Sequence, residues 1–185
     1  DTAGEKHDGA PHGEAMSAAQ NPVFAYSGNG SQWAGMGRTA YQRETDFRLS
    51  FDRTDRLFMS VAGWSLVTML FSEDLETEIE RTEIAQPLLF ALQVALTEAL
   101  HRQGITPAAV IGHSVGEVAA AWASGALSLA DAVRVIHARS THQEVTRHLG
   151  GMAALLLPAD EARDAIAPLA GVELAGINSS LSVTV

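Results

Sequence analysis

The chain has 185 residues, enough for one domain with a sizeable core, and 46% of them are apolar, so it folds rather than staying disordered. Its 22 acidic and 12 basic residues give a formal net charge of −10, which argues against nucleic acid as the main partner. With no Cys, disulfides, thiolate catalysis and thiolate metal sites are excluded, and the seven His show no H-x-x-x-H or H-E-x-x-H spacing, so no metal site is inferred.

No apolar run approaches the roughly 20 residues of a membrane span, and the N-terminus has no signal-peptide core, so a soluble, cytoplasmic protein without a membrane partner is expected. Residues 1–20 are polar, with scattered Gly and Ala, and read as a linker or tail. "PVFAY" (22–26) reads as a strand, and "SGNGSQWAGMG" (27–37) as a Gly-rich loop behind it. Residues 38–60 read as an amphipathic helix with Phe47, Phe51 and Phe58 near helical spacing. "GWSLVTMLF" (63–71) predicts a short helix, and "SEDLETEIERTE" (72–83) an exposed acidic stretch. Residues 87–102 predict a helix: Pro87 sits in its first turn, Leu89, Leu92, Leu96 and Leu100 repeat along it, and Gly104 caps its end.

"AAVI" (108–111) predicts a short buried strand, followed by a helix over about 116–124 that stops near Gly125. Ser128 and Asp131 form a capping-box pattern that opens a helix to about 148, ended by Gly150 and Gly151. The texture then changes. Strands over 152–157, 172–177 and 182–185 and a helix over 159–167 place a new unit from 151 to 185, after a larger one over 21–150.

Between the strand at 108–111 and its following helix stands Gly112-His113-Ser114-Val115-Gly116, which matches G-x-S-x-G in the strand–turn–helix context that the motif requires. On such a turn a Ser is held in a strained conformation with its hydroxyl exposed. The helix behind it points free N–H groups at that hydroxyl, and the N–H of Val115 is one donor for an oxyanion. The other reading is a Gly-bounded turn. Gly28, Asn29 and Gly30 are candidates to complete an oxyanion hole, or else form a tight strand-to-helix turn. Arg139 falls on the face shared by Leu129, Ala132, Val133, Val135 and Ile136, and an inward Arg needs an anion. That anion is either a structural carboxylate or the carboxylate of a substrate.

Taken together, "GNGSQWAGMG", "QPLLFALQVAL", "GHSVGEVAAAWASGALSLADAVRVIHARS" and "GGMAALL" resemble the acyltransferase domain of type I polyketide synthases, the malonyl-CoA:acyl-carrier-protein transacylase family, over about residues 22–185. The resemblance implies an α/β fold: an α/β-hydrolase-like large subdomain, with the beginning of an inserted ferredoxin-like small subdomain over 151–185. It implies that Ser114 attacks the thioester of malonyl-CoA or methylmalonyl-CoA, with Val115 after the Ser leaning towards malonyl. It also implies that the Asn29 and Val115 N–H groups hold the oxyanion and that Arg139 forks onto the acyl carboxylate. Gly28, Gly30, Gln32, His113 and Gly116 then line the substrate pocket, with Asn178 carried over from a loosely matching segment, "GINSSLSV". The acyl group passes to the phosphopantetheine thiol of an acyl carrier protein, a ketosynthase domain neighbours the domain in the same polypeptide, and no cofactor or metal is implied. Asn29 departs from the family's usual Gln. The family's catalytic His lies beyond its small subdomain, so none of the His here is expected to be the base, and the chain reads as a truncated domain. A serine hydrolase or thioesterase-like activity and a degenerate, non-catalytic docking domain are the other readings.

Overall fold

Strand β1 (Val23–Tyr26) pairs in parallel with β2 (Ala109–Gly112), far along the chain, in the register Phe24 opposite Val110 and Tyr26 opposite Gly112. A parallel pair needs a long crossover, and here that crossover is helical. It runs through α1 (Arg38–Arg43), α2 (Thr45–Ala62), α3 (Leu66–Leu70), α4 (Leu75–Glu78) and α5 (Thr82–Arg102). After β2 come α6 (Gly116–Ala123) and α7 (Leu129–Glu144). The computed structural model describes residues 21–185, so the linker reading of residues 1–20 lies outside the described residues. The chain divides into two units, one ending at Glu144 and one spanning Val145–Val185.

In the first unit Phe47, Phe51 and Phe58 are buried, as the spacing predicts. The expected single helix is broken at Glu44, which is extended between α1 and α2. The 72–83 stretch is not a purely exposed one, because Leu75 and Ile79 are buried. Helix α3 is fixed at both ends by distant side chains. The Asp55 carboxylate takes the Leu66 N–H at 2.5 Å and the Ser65 hydroxyl at 3.1 Å, while Arg38 donates to the carbonyls of Leu70 at 2.7 Å and Ser72 at 3.1 Å. An anion at the N-terminus and a cation at the C-terminus also suit the helix dipole.

Helix α5 lies at the centre of this unit, packed against α2, α6 and α7. It starts earlier than expected because Glu144, at the end of α7, takes the Thr82 N–H at 2.6 Å. Pro87 is therefore inside the helix, past the first turn. Ile84–Ala91, Val94 and Ala95 are buried; of the leucine repeat only Leu89 is buried, Leu92 and Leu100 are half-buried, and Leu96 is 54% exposed. By length and composition α5 is apolar enough to cross a membrane, yet most of it is buried in protein. Gly104 ends it at a φ of 80°. Strand β2 is less buried than expected, with Ile111 60% exposed.

At the start of α7, Ser128 Oγ accepts from the Asp131 N–H at 3.1 Å and donates to Asp131 Oδ2 at 2.6 Å, as the capping pattern predicts. This hydroxyl, with Arg134 beside it, lowers the Asp131 carboxyl below its usual range. Helix α7 ends at Glu144 rather than near 148, where His148 takes a φ of 68°. Ala132, Val133 and Ile136 are buried, but Val135 is outside that face.

The second unit contains β3 (Ala154–Leu155), α8 (Ala159–Ile166), β4 (Gly176–Ser179) and β5 (Ser182–Thr184). The strand order is β3-β5-β4, antiparallel throughout, and Ala162, Ile166 and Val183 are its buried apolar residues. The strand expected at 172–177 begins later. Gly171 at a φ of 79° turns the chain, and the ladder resumes where the Ala175 N–H meets the Thr184 carbonyl.

Both tyrosines of the chain sit in the first unit. Burial raises the Tyr26 phenol, whose hydroxyl bonds Thr97 Oγ1 at 2.9 Å. Burial and the Asp52 carboxylate, at 2.6 Å, push Tyr41 up to about 12. The fold thus favours the protonated phenols. The Tyr41 contribution is fully present below the ordinary value of 10.0 and is lost as pH rises towards about 12, and that of Tyr26 is likewise lost above its ordinary value. In an alkaline titration followed by tyrosinate absorbance, the native chain should ionise later than the denatured chain. Coincident curves would contradict the assigned contacts.

Candidate active site

Three close approaches assemble the site at the C-terminal ends of β1 and β2. A Cβ on Gly116 would stand 2.2 Å from the Tyr26 carbonyl oxygen, and one on Gly112 would stand 2.4 Å from Gly116. A Cβ on Gly28 would stand 2.8 Å from the His113 carbonyl oxygen and 2.9 Å from Ser114 Cβ. Gly at these places lets the first strand, the turn at 112–116 (the elbow) and the start of α6 touch backbone to backbone. The Gly28 approach is thus to the elbow itself. Gly30 is open to its surroundings but takes a φ of 100°.

Ser114 has a φ of 54°, left-handed backbone that a non-Gly residue adopts only at a cost. Its backbone is held by the turn: the Gly116 N–H donates to the His113 carbonyl at 2.9 Å, and the Glu117 N–H to the Ser114 carbonyl at 3.0 Å. The side chain is exposed at the mouth of α6. Among the described residues, the N–H groups of Asn29 and Val115 make no hydrogen bond. Backbone donors left without a partner are the kind of group that an oxyanion requires. The Val115 side chain is 1% exposed and packs in the core, so its N–H is what it offers at this site.

The loop that carries Asn29 is internally braced. Ser31 Oγ donates to the Gly28 carbonyl at 3.0 Å and pairs with Ser27 Oγ at 3.0 Å, while the Gly30 N–H donates to Gln32 Oε1 at 2.7 Å. Gln32 therefore turns back onto its own loop.

Arg139 reaches the elbow from α7. Its Nη2 donates to Ser114 Oγ at 3.1 Å, and its Nε is buried without a hydrogen bond. Among the described residues no carboxylate pairs with it. Among the described residues, then, no structural ion pair holds this guanidinium. Spacing alone placed Arg139 on the inward face; its contact with Ser114 joins residues 25 positions apart.

No histidine among the described residues hydrogen-bonds Ser114 Oγ. His101 stacks on Phe24 at 6.2 Å, and His137 stands edge-on to Phe58 at 5.8 Å. Asn178 belongs to the second unit, where its Nδ2 donates to Thr184 Oγ1 at 2.9 Å. An open groove of about 650 Å³, lined in part by Trp64, Met69, Arg81 and His137, touches neither Ser114 nor Arg139.

The first unit thus brings together a left-handed Ser between a strand and a helix, backbone N–H groups without a partner among the described residues, and an Arg on the Ser hydroxyl. Comparison with known proteins gives the family: residues 23–185 match the acyl transferase domain, and the chain belongs to that family. It is 38% identical over 184 residues to mycoketide-CoA synthase of Mycobacterium tuberculosis, across 99% of this chain and 4% of that protein. It is 35% identical over 166 residues to pikromycin polyketide synthase component PikAII of Streptomyces venezuelae, across 88% of this chain and 4% of that protein. The acyltransferase domain from the second module of the salinomycin polyketide synthase superposes with a TM-score of 0.80 at 37% identity, over 89% of this chain and 38% of that one. The MCAT from Streptococcus pneumoniae superposes with a TM-score of 0.75 at 30% identity, over 89% of this chain and 54% of that one. The chain thus spans a small part of these synthases and about two-fifths to half of the solved chains. It is an acyl transferase domain sequence of the polyketide synthase kind.

Proposed function

We propose that this sequence contributes the nucleophile and the acid-recognising Arg of an extender-unit acyltransferase, preferring malonyl-CoA over methylmalonyl-CoA. Ser114 Oγ forms a bond to the thioester carbonyl carbon, and the developing oxyanion is received by the Asn29 and Val115 N–H groups. As the C–S bond breaks, CoA leaves as the thiol and carries the Ser114 proton, relayed by a base elsewhere in the intact protein. The phosphopantetheine thiol of an acyl carrier protein then attacks the acyl-Ser and restores the hydroxyl. Thioester to ester to thioester divides one exchange into two steps of similar difficulty. In this reading the fold is α/β-hydrolase-like with a ferredoxin-like beginning over the second unit, and a ketosynthase neighbours it in the same polypeptide.

The observation that carries the proposal is Arg139: a guanidinium on the nucleophile's hydroxyl, with a buried unpaired Nε and no carboxylate partner among the described residues. It has the planar fork that a free acyl carboxylate fits. A serine hydrolase shares the elbow but has no use for this Arg. The test is to mix the intact protein with malonyl-CoA, measure the mass of the Ser114 peptide, and then add carrier protein bearing phosphopantetheine. A malonyl adduct on Ser114 that moves to the carrier supports the proposal, whereas hydrolysis with no acyl on the carrier would sink it.

A further inference from the structure

We infer that Gln93, on the side of α5 that faces β1, is a positioning residue for the oxyanion-hole loop; this rests on the acyl-transfer reading above. Gln93 Nε2 donates to the Ser27 carbonyl at 2.8 Å. A carbonyl accepts only from the amide nitrogen, so the orientation of the side chain is fixed by its partner. Ser27 is where β1 gives way to the loop. The other side-chain bonds of this loop, among Ser27, Gly28, Gly30, Ser31 and Gln32, tie it to itself. Gln93 ties it to the helical core.

The same stretch of α5 grips the end of β1 twice. Thr97 Oγ1 donates to the Gln93 carbonyl at 2.7 Å and bonds the Tyr26 hydroxyl at 2.9 Å. Gln93 itself takes the next residue, Ser27. On the opposite side Gly28 is pressed against the His113 carbonyl and Ser114 Cβ, so the loop has no slack there. The 27–28 peptide is clamped between α5 and the elbow. Its orientation sets the direction in which the chain presents the Asn29 N–H two residues on.

Packing does not explain the amide. Gln93 Oε1 is buried and makes no hydrogen bond, which is destabilising. A Leu beside Leu92 and Leu96 would fill the position without that cost. The side chain is therefore accounted for by its bond to the loop.

The test uses Gln93→Leu in the intact protein. Two rates are read: acylation of Ser114 by malonyl-CoA, and labelling of Ser114 by a fluorophosphonate, whose attack also places charge on an oxygen in the hole. Losing one oxyanion donor outright costs about 10²–10³-fold, so a displaced donor should cost roughly 10- to 100-fold in both rates. The KM for malonyl-CoA and the thermal midpoint should stay unchanged. Gln93→Glu adds a signature that mere packing lacks. Its carboxylate cannot donate to the Ser27 carbonyl but its acid form can, so its rate relative to the parent should recover as pH falls towards the carboxyl range, about 4.3. Parent-like rates for Gln93→Leu with both reagents, or no relative recovery of Gln93→Glu at low pH, would overturn the inference. If the parent takes the fluorophosphonate but not malonyl, the acyl-transfer reading fails while the Gln93 inference is still decided by the labelling rates.

Discussion

Replacing Ser114 by Ala in the intact protein should abolish malonyl-enzyme formation and lower turnover by on the order of 10⁶-fold, the loss seen when a serine nucleophile is removed from its catalytic unit. The size of the effect follows from the lack of a substitute. The chain has no Cys, and the hydroxyls near the elbow, Ser27 and Ser31, bond to each other in the loop. The substitution is also a clean probe of chemistry. Ser and Ala both carry a Cβ, so the left-handed conformation at 54° costs the two alike, and the contacts of Gly28 with Ser114 Cβ are kept. Among the described residues, the one side-chain hydrogen bond removed is that from Arg139, on an exposed side chain. The thermal midpoint should therefore barely move while the labelled Ser114 peptide disappears from the mass spectrum. A malonyl adduct that persists on the Ser114→Ala protein would show that the nucleophile is another residue.

The elbow was legible in the sequence because it is local. A short apolar run, five residues with Gly at both ends and a helix rich in small residues already dictate a tight strand–turn–helix. The Ser128–Asp131 cap was legible for the same reason. What the sequence hid depends on residues far apart. The start of α5 is set by Glu144, 62 positions away, so Pro87 looked like a first-turn residue when it lies inside the helix. The leucine repeat of α5 does not show which of its members are covered: Leu89 is buried while Leu96 is left exposed. The break at Glu44 has no Gly or Pro to announce it. Spacing put Arg139 on the inward side of α7 yet left open what anion it meets; only the fold shows its Nη2 on Ser114 Oγ. Gln93 does carry a signal in the sequence: an amide set among Leu89, Leu92 and Leu96 on an apolar helix.

Arg139→Ala should change which acyl group is accepted rather than whether acylation occurs. Ser114, the Asn29 and Val115 donors and the Gly contacts are untouched by the change, so acetyl-CoA, which carries no free carboxylate, should acylate Ser114 at least as well as before. Malonyl-CoA should lose its partner. Breaking a buried, hydrogen-bonded ion pair costs about 3–5 kcal/mol. Arg139 is half-buried, which argues for the lower end, about 3 kcal/mol, or on the order of 10²-fold in the malonyl-to-acetyl ratio of kcat/KM. Arg139→Lys keeps the charge without the fork and should fall between the two. Removing the guanidinium also frees Ser114 Oγ from a donor that it now accepts at 3.1 Å, which is a reason for the acetyl rate to rise. The measurement is competition between the two thioesters for the Ser114 peptide, read by mass. Equal losses for both substrates would mean that Arg139 supports the hydroxyl and not the carboxylate. The assignment of a carboxylated extender unit would then fall while Ser114 remained the nucleophile.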